Sequence, residues 1–175
     1  DQGCERSGGV DQAARLGELC GMEHRFATHR AYDGGHYGLA ALTNLPIRTF
    51  EVIPLPAGPN RVAMLEMVVE FQGKEVVIAD VHLVQTDEER LAQAHFLLER
   101  YEKERRPIVI GGDLNSERSS EVLAALYPRF DVPEKRGESN TFPSSGPTKE
   151  IDFVLLSPRG RWTIREHRAI DERIA

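Results

Sequence analysis

The chain has 175 residues, of which 40% are hydrophobic and 29% charged, a composition typical of one globular domain. Two cysteines are too few for a disulfide-stapled miniprotein, and no apolar run approaches the roughly 20 residues that cross a bilayer as a helix. With 22 basic against 28 acidic residues the net charge is −6, so we do not expect a broad cationic surface for nucleic acid or anionic membranes. These numbers leave the cellular compartment and the oligomeric state open.

The first part of the chain predicts a short helix followed by strands. Apolar residues recur at helical spacing over residues 10–20, and Gly21 is a typical helix stop. Turn signals separate short strands that are predicted over 25–29, 38–43 and 49–55. Two longer strands, over 61–71 and 75–83, are separated by Gln72, Gly73 and Lys74, a strong hairpin signal. The second of these is apolar on both faces, which predicts a central strand.

The second part of the chain alternates helices and strands. Thr86 and Glu89 form a predicted capping box, in which each side chain accepts a hydrogen bond from the other residue's backbone N–H, and a helix continues until Pro107. A buried strand is predicted over 107–111, a short helix over 120–127, and two more strands over 151–156 and 161–166. This mixed order favours an α/β sandwich over a regular repeat of βαβ units. Because there is no internal repeat or long linker, residues 1–175 are expected to form a single domain.

The stretch most informative about chemistry comes directly after the buried strand at 107–111. Two glycines end that strand, and Asp113 and Asn115 then stand at alternate positions, which point the same way if the strand continues. A carboxylate and a carboxamide side by side can hold a water or a metal and can donate to a phosphate oxygen. A turn in which Asp and Asn only cap local backbone amides explains the same residues.

Polar residues also end a neighbouring strand and interrupt a later one. Asp80 and His82 alternate at the end of the apolar strand over 75–83. Asp152 stands within the apolar segment 151–155, where an acid is costly unless it is paired or functional. Taken singly, His82 fits a hydrogen-bonded structural residue and Asp152 fits a solvent-facing edge position.

Four short motifs place these residues in a common context. DVHL at 80–83 is followed by GGDLN at 111–115, then by TFP at 141–143 and IDFVL at 151–155. Together they resemble the endonuclease/exonuclease/phosphatase superfamily, the metal-dependent phosphohydrolases related to pancreatic deoxyribonuclease. YGLAALTNLPI at 37–47 is similar to that family's YGNAILSRYPI segment, with Leu39 where Asn is usual, and DQGCERSGG at 1–9 resembles the segment after its metal-binding Gln-Glu pair. The resemblance covers essentially the whole chain.

The resemblance implies a role for each of the four candidate residues. Asp113 matches the Asp that orients or deprotonates the attacking water, and Asn115 matches the Asn that contacts the scissile phosphate. His82 matches a strand-end residue that hydrogen-bonds a phosphate oxygen. Asp152 matches the Asp that orients a second histidine, which the family carries in an SDHxP motif that is absent here. The implied cofactor is Mg²⁺ or Mn²⁺, with Asp113 and Asn115 as ligands.

Two further residues are candidates for binding the substrate. Arg61 lies at the entry to a predicted central strand, where the family often has an Arg near the phosphate, and a surface Arg at a strand start explains it equally well. Tyr37, beside a double glycine, is placed to line the mouth of the cleft, although loop aromatics commonly only pack.

The resemblance also implies the fold and its extent. We expect a four-layer α/β/β/α sandwich of two mixed sheets flanked by helices. The family's metal-binding Glu and first strands would precede Asp1, and its last strand would come after Ala175. The chain is therefore expected to be one domain truncated at both ends.

The implied function is metal-dependent hydrolysis of a phosphate ester by in-line attack of activated water. We expect a small phosphodiester, a phosphomonoester or a lipid head group rather than bulk duplex DNA, because acids exceed bases by six and the densest cationic run, 103–106, is interrupted by Glu104. A non-specific nuclease and a catalytically inactive binding module with the same fold are the alternatives.

Overall fold

The computed structural model describes residues 1–56, 62–84 and 86–170. Apart from a short 3₁₀ helix at Glu5–Ser7, these residues form three α-helices and seven strands. In chain order they are α1 (Gln12–Cys20), β1 (Glu23–Tyr32), β2 (Gly35–Thr43), β3 (Ile47–Pro54), β4 (Ala63–Phe71), β5 (Lys74–His82), α2 (Asp87–Tyr101), β6 (Ile108–Asp113), α3 (Glu121–Leu126) and β7 (Asp152–Ser157). No helix of the described ranges is long and apolar enough to span a bilayer.

The strands form a two-stranded ribbon, β1-β2, and a five-stranded sheet in the order β3-β4-β5-β6-β7. Within the larger sheet β5 and β6 are parallel and the other pairs are antiparallel. Parallel neighbours need a crossover, and α2 supplies the one between β5 and β6. As a consequence, β5 and β6 both end at the same edge of the sheet.

The sheets and helices stack in four layers. Helix α1 packs on the ribbon, and the ribbon packs over β3, β4 and β5. The core between the sheets contains Ala27, Leu65, Met67 and Val69. The opposite face of the large sheet is covered by α2 and α3, with a second core that includes Ala79, Leu97, Ile110, Leu123 and Leu155. The expected α/β/β/α fold is thereby confirmed, except that the smaller sheet is purely antiparallel rather than mixed because its two strands are joined by a tight turn at Asp33 and Gly34.

Local sequence signals account for several element boundaries. The side chain of Asp11 accepts a hydrogen bond from the Ala14 N–H at the start of α1, and Gly21 ends that helix in the left-handed conformation. The capping box predicted for Thr86 and Glu89 is present at the start of α2. The predicted hairpin between β4 and β5 is also confirmed.

The strand predicted over 161–166 is wrong, since these residues have no regular structure. A strand requires a partner with free backbone groups, and the outer edge of β7 is already occupied. There Asp131 and Leu156 exchange two backbone hydrogen bonds of 2.8 and 2.9 Å. Favourable residue types alone therefore do not form a strand at this position.

Two consecutive glycines in β6 differ sharply in what they tolerate. Gly112 has φ +148°, and a Cβ atom on it would lie 1.9 Å from the carbonyl oxygen of Val81, whereas a Cβ atom on Gly111 would meet open space. We predict that Gly112→Ala destabilises the fold by about 3 kcal/mol or more, through backbone strain and overpacking. Gly111→Ala should change stability by less than about 1 kcal/mol. Urea unfolding of both variants checks this, and equal losses would contradict it.

Candidate active site

Three of the predicted site residues form one row across the end of the large sheet. His82 of β5 is in register with Asp113 of β6, which is in register with Asp152 of β7. Residues in register share a face of the sheet. His82 lies four positions after Ile78 and therefore on the same face of β5, and Ile78 packs against the core between the sheets. The row therefore projects on the inter-sheet side, at the edge where the parallel strands end.

Asp113 is the centre of this row. Its Oδ2 lies 3.8 Å from His82 Nε2, and its Oδ1 accepts a 2.7 Å hydrogen bond from the backbone N–H of Asn115. Leu114 N–H donates to the Ile151 carbonyl, which makes Asp113 and Asp152 a non-hydrogen-bonded pair, the type whose side chains lie closer together. Burial raises the pKa of Asp113, the negative charge of Asp152 raises it further, and the Asn115 N–H and His82 oppose the rise.

Asn115 is held by its own side chain. Its Nδ2 donates a 2.7 Å hydrogen bond to the Leu83 carbonyl, and its backbone has φ +47°, a conformation that Asn tolerates better than most residues. That bond leaves the amide oxygen and the second amide proton for a ligand. The hydrogen bond from the Asn115 N–H to Asp113 Oδ1 is the contact that the turn interpretation expects, and Asp113 Oδ2 takes no part in it.

Tyr37 reaches the row from the ribbon. Its hydroxyl lies 3.3 Å from His82 Nδ1. When the hydroxyl donates to Nδ1, the ring proton resides on Nε2, the nitrogen that faces Asp113. In that arrangement Tyr37 holds the ring of His82 in place, through a contact that the sequence did not predict. Its predicted contact with substrate stays a prediction.

His29 supports Tyr37, and the sequence patterns did not identify it. The register of β1 shifts between Thr28 and Arg30, so His29 is the extra residue of a β-bulge. Its buried ring makes a 2.7 Å hydrogen bond through Nε2 to the Ala63 carbonyl and meets the Tyr37 ring edge-on at 5.8 Å. Burial lowers the pKa of His29, which favours the neutral ring. A bulge depends on strand pairing, so no local sequence signal identifies it.

Lys135 ties down the start of β7. Its Nζ donates to the Asp152 carbonyl at 2.6 Å and to Glu150 Oε1 at 2.7 Å. Arg118 also pairs with Glu150, at 3.1 Å. These bonds fix the backbone from which the Asp152 side chain projects into the row.

Asp80 lies two positions before His82 and on the same face of β5. Burial raises its pKa to about 7. The sequence indicated its position at the strand end but not its burial, because burial depends on the layer packed above it. The carboxyl is therefore partly protonated at neutral pH.

This raised pKa predicts how stability depends on pH. The folded protein holds the Asp80 proton up to about pH 7, whereas the unfolded chain releases it near pH 4, so stability falls as pH rises between these values. Asn mimics the protonated acid and has no such loss. We therefore expect the free energy of unfolding of Asp80→Asn, taken relative to that of the parent, to be about 2 kcal/mol higher at about pH 8 than at about pH 5. Urea unfolding at both values measures this, with exposed Glu102→Gln as control, and an unchanged difference would contradict it.

The oxygen atoms of the row and of Asn115 are of the type that binds Mg²⁺ or Mn²⁺. The carboxylates of Asp113 and Asp152 and the amide oxygen of Asn115 are hard oxygen ligands, the type that Mg²⁺ and Mn²⁺ prefer. Over residues 1–56, 62–84 and 86–170, no three or more His, Cys, Asp and Glu side chains are grouped so that they could hold a metal ion by themselves. A divalent cation held by so few protein oxygens would complete its coordination with waters or with a ligand. Arg61 lies outside the described residues.

A polar cavity adjoins this edge of the sheet. It has a volume of about 390 Å³ and lies between the loop after β6 and the segment that precedes β7. Its lining is entirely polar or charged: Glu117, Arg118, Ser119, Ser139, Asn140 and Glu150.

Comparison with known proteins places this geometry in a family. The sequence matches the Endonuclease/Exonuclease/phosphatase family over residues 6–172. No curated protein sequence matches it significantly. The fold is similar to that of a functionally unknown conserved protein from Enterococcus faecalis, with a TM-score of 0.70 and 21% identity over 83% of this chain and 68% of that one.

Two further solved structures have the same fold. The human Nocturnin catalytic domain, which was solved with a bound sulfate anion, has a TM-score of 0.66 and 17% identity over 84% of this chain and 64% of its own. A mannosyl-6-phosphatase from Bacteroides thetaiotaomicron has a TM-score of 0.61 and 16% identity over 85% of this chain and 67% of its own. The chain thus spans about two thirds of the length of these structures, and at such identities the likeness concerns the fold alone.

The family match includes every residue of the row, together with Tyr37 and Asn115. The fold agrees with that of the structural neighbours. The chain belongs to the endonuclease/exonuclease/phosphatase family.

Proposed function

We propose that the protein is a phosphate-ester hydrolase that uses Mg²⁺ or Mn²⁺ and attacks phosphorus in line with water. The observation that carries the proposal is the row of His82, Asp113 and Asp152, with Asn115 beside it, at one edge of the sheet. A base, a hydrogen-bond donor and hard oxygen ligands within one edge are the components that such a reaction requires.

Asp113 is proposed to orient the water and to accept its proton. Burial and the nearby Asp152 charge raise the pKa of Asp113, which makes it a stronger base than an exposed aspartate. Its backbone hydrogen bond from Asn115 fixes one oxygen and leaves the other for the water.

His82 and Asn115 are proposed to bind the phosphate oxygens. Tyr37 on Nδ1 favours a proton on His82 Nε2, and this N–H can donate to an oxygen that gains charge in the transition state. The Asn115 amide, anchored on Leu83, can donate its second proton in the same way. A bound divalent cation would neutralise the negative charge that develops on the phosphate oxygens. The residues that would hold it are Asp113, Asn115 and Asp152.

A small ester is favoured over bulk duplex DNA. The cationic run 103–106 lies before β6, at the strand end opposite to Asp113, and Arg106 is paired with Glu104 and Glu75. The polar cavity beside the site is of a size that suits a small ligand. Among the residues that the structure describes, the surface around the candidate site therefore offers few cationic side chains for contacts along the phosphate backbone of duplex DNA.

The substrate class is tested with a panel of esters. The purified protein with Mg²⁺ or Mn²⁺ is assayed on small phosphomonoesters, small phosphodiesters, phospholipid head-group diesters and supercoiled plasmid DNA, at about 0.15 M salt. Asp113→Asn is purified in the same way, and any activity that remains in it measures contaminating phosphatase. Turnover of a small ester or head group is expected. Efficient plasmid nicking without small-ester turnover would instead indicate a nuclease, and turnover of none of them would indicate a binding module.

A further inference from the structure

An arginine and two tyrosines form a cluster at the end of the ribbon, next to the candidate site. Arg30 of β1 is in register with Tyr37 of β2, and Tyr32 lies two positions further along β1. Cross-strand partners share a face, so all three project on the side that reaches His82. The Arg30 Cζ lies 5.3 Å from the Tyr32 ring centroid and 5.9 Å from that of Tyr37. The two rings meet edge-on at 6.3 Å.

A second arginine in the same place shows what distinguishes Arg30. The Arg6 guanidinium also lies over the Tyr32 ring, at 4.7 Å, but it is neutralised by two hydrogen bonds to the Asp1 carboxylate, of 2.6 and 2.7 Å. Within the described part of the chain, no carboxylate lies within ion-pair distance of Arg30, and its side chain is exposed. Aromatic rings hold the guanidinium in place without consuming its charge.

The β-bulge accounts for this placement. His29 is the extra residue, and it turns into the core to meet the Ala63 carbonyl. The shift that it introduces puts Arg30 opposite Tyr37, whose hydroxyl contacts His82. A single tyrosine ring therefore separates the Arg30 guanidinium from the histidine of the candidate site.

We propose that Arg30 binds a second phosphate of the substrate, carried on the part of the molecule that lies beyond Tyr37 from the scissile phosphorus. This rests on the proposed phosphate-ester hydrolysis and narrows its substrate class to bisphosphorylated small molecules. A guanidinium offers planar, paired donors that match phosphate oxygens, and the ring contacts hold it before the ligand arrives.

Binding is measured by calorimetry with Mg²⁺ present, using glucose 1,6-bisphosphate and glucose 6-phosphate as the probes. The parent protein should bind the bisphosphate about tenfold to hundredfold more tightly than the monophosphate, the range of a charged hydrogen-bonded contact. Arg30→Gln should remove that preference, and Arg30→Lys should retain only part of it because an ammonium lacks the paired donors. Exposed Arg165→Gln, with the same change in charge, should leave the preference intact.

The same proteins are assayed for hydrolysis of p-nitrophenyl phosphate and of bis(p-nitrophenyl) phosphate, which separates the two proposals. If the parent hydrolyses neither ester, nor any ester of the panel, the proposed function fails. Even then, loss of the preference for the bisphosphate in Arg30→Gln would support the anion site at Arg30. If the parent shows no preference, or if Arg30→Gln keeps it, the second phosphate site is wrong whether or not the esters are hydrolysed. Circular dichroism of each variant confirms that it is folded.

Discussion

Replacing Asp113 by Asn is expected to lower kcat for phosphate-ester hydrolysis by about 10²- to 10⁴-fold, the range of a lost general base or electrostatic contribution. Asn keeps the shape of the side chain, and its oxygen can still accept the Asn115 N–H that orients Asp113. The change removes the negative charge that polarises the water and helps to hold a cation. It should therefore also raise the Mg²⁺ concentration needed for half-maximal activity.

The control for this variant is Glu102→Gln, which removes the same charge at an exposed position beyond the end of α2. It should keep the parent kcat. The measurement is the initial rate of phosphate or p-nitrophenol release at several Mg²⁺ concentrations for all three proteins. Activity in Asp113→Asn that equals the parent's would remove Asp113 from the mechanism.

Replacing His82 by Ala is expected to lower kcat by about 10²- to 10³-fold and to leave KM nearly unchanged. The reason is that a hydrogen bond to a phosphate oxygen strengthens as charge develops in the transition state, so its loss affects the chemical step more than binding. Tyr37→Phe should produce a smaller loss of kcat, because it removes only the hydroxyl that orients the ring.

His95→Ala serves as the matched control, since His95 is an exposed histidine of α2. Steady-state kinetics on one small ester, with kcat and KM determined separately, check the three variants. If His82→Ala keeps kcat within about a factor of two of the parent, well below the loss expected of a transition-state donor, His82 is only a hydrogen-bonded structural residue.

The part of the site that the sequence predicts is the part built from local patterns. Asp113, Asn115 and His82 each stand at or just past the end of an apolar strand, and the carboxyl ends of parallel neighbours must meet at one edge. Their motifs therefore indicated both the type of residue and its place in the fold. The same holds for the hairpin at Gln72 and for the capped start of α2.

The remaining features depend on pairings between distant segments. His29 is placed by a bulge, which exists only once β1 is paired with β2. The raised pKa of Asp80 depends on burial by the packed layers. Lys135 lies outside every sequence motif, and only the fold brings it to the Asp152 carbonyl. The wrong strand at 161–166 has the same origin, since Asp131 takes the edge that it would need.

The proposed function depends above all on a divalent cation being required for ester hydrolysis. The purified protein is treated with a chelator and dialysed, and release of phosphate from the best small ester is then recorded before and after addition of Mg²⁺ or Mn²⁺. We expect no turnover in the chelated protein and recovery on addition of either cation, because the oxygen ligands at this edge suit such ions. Turnover that is unaffected by chelation, or the absence of ester hydrolysis with both cations present, would contradict it.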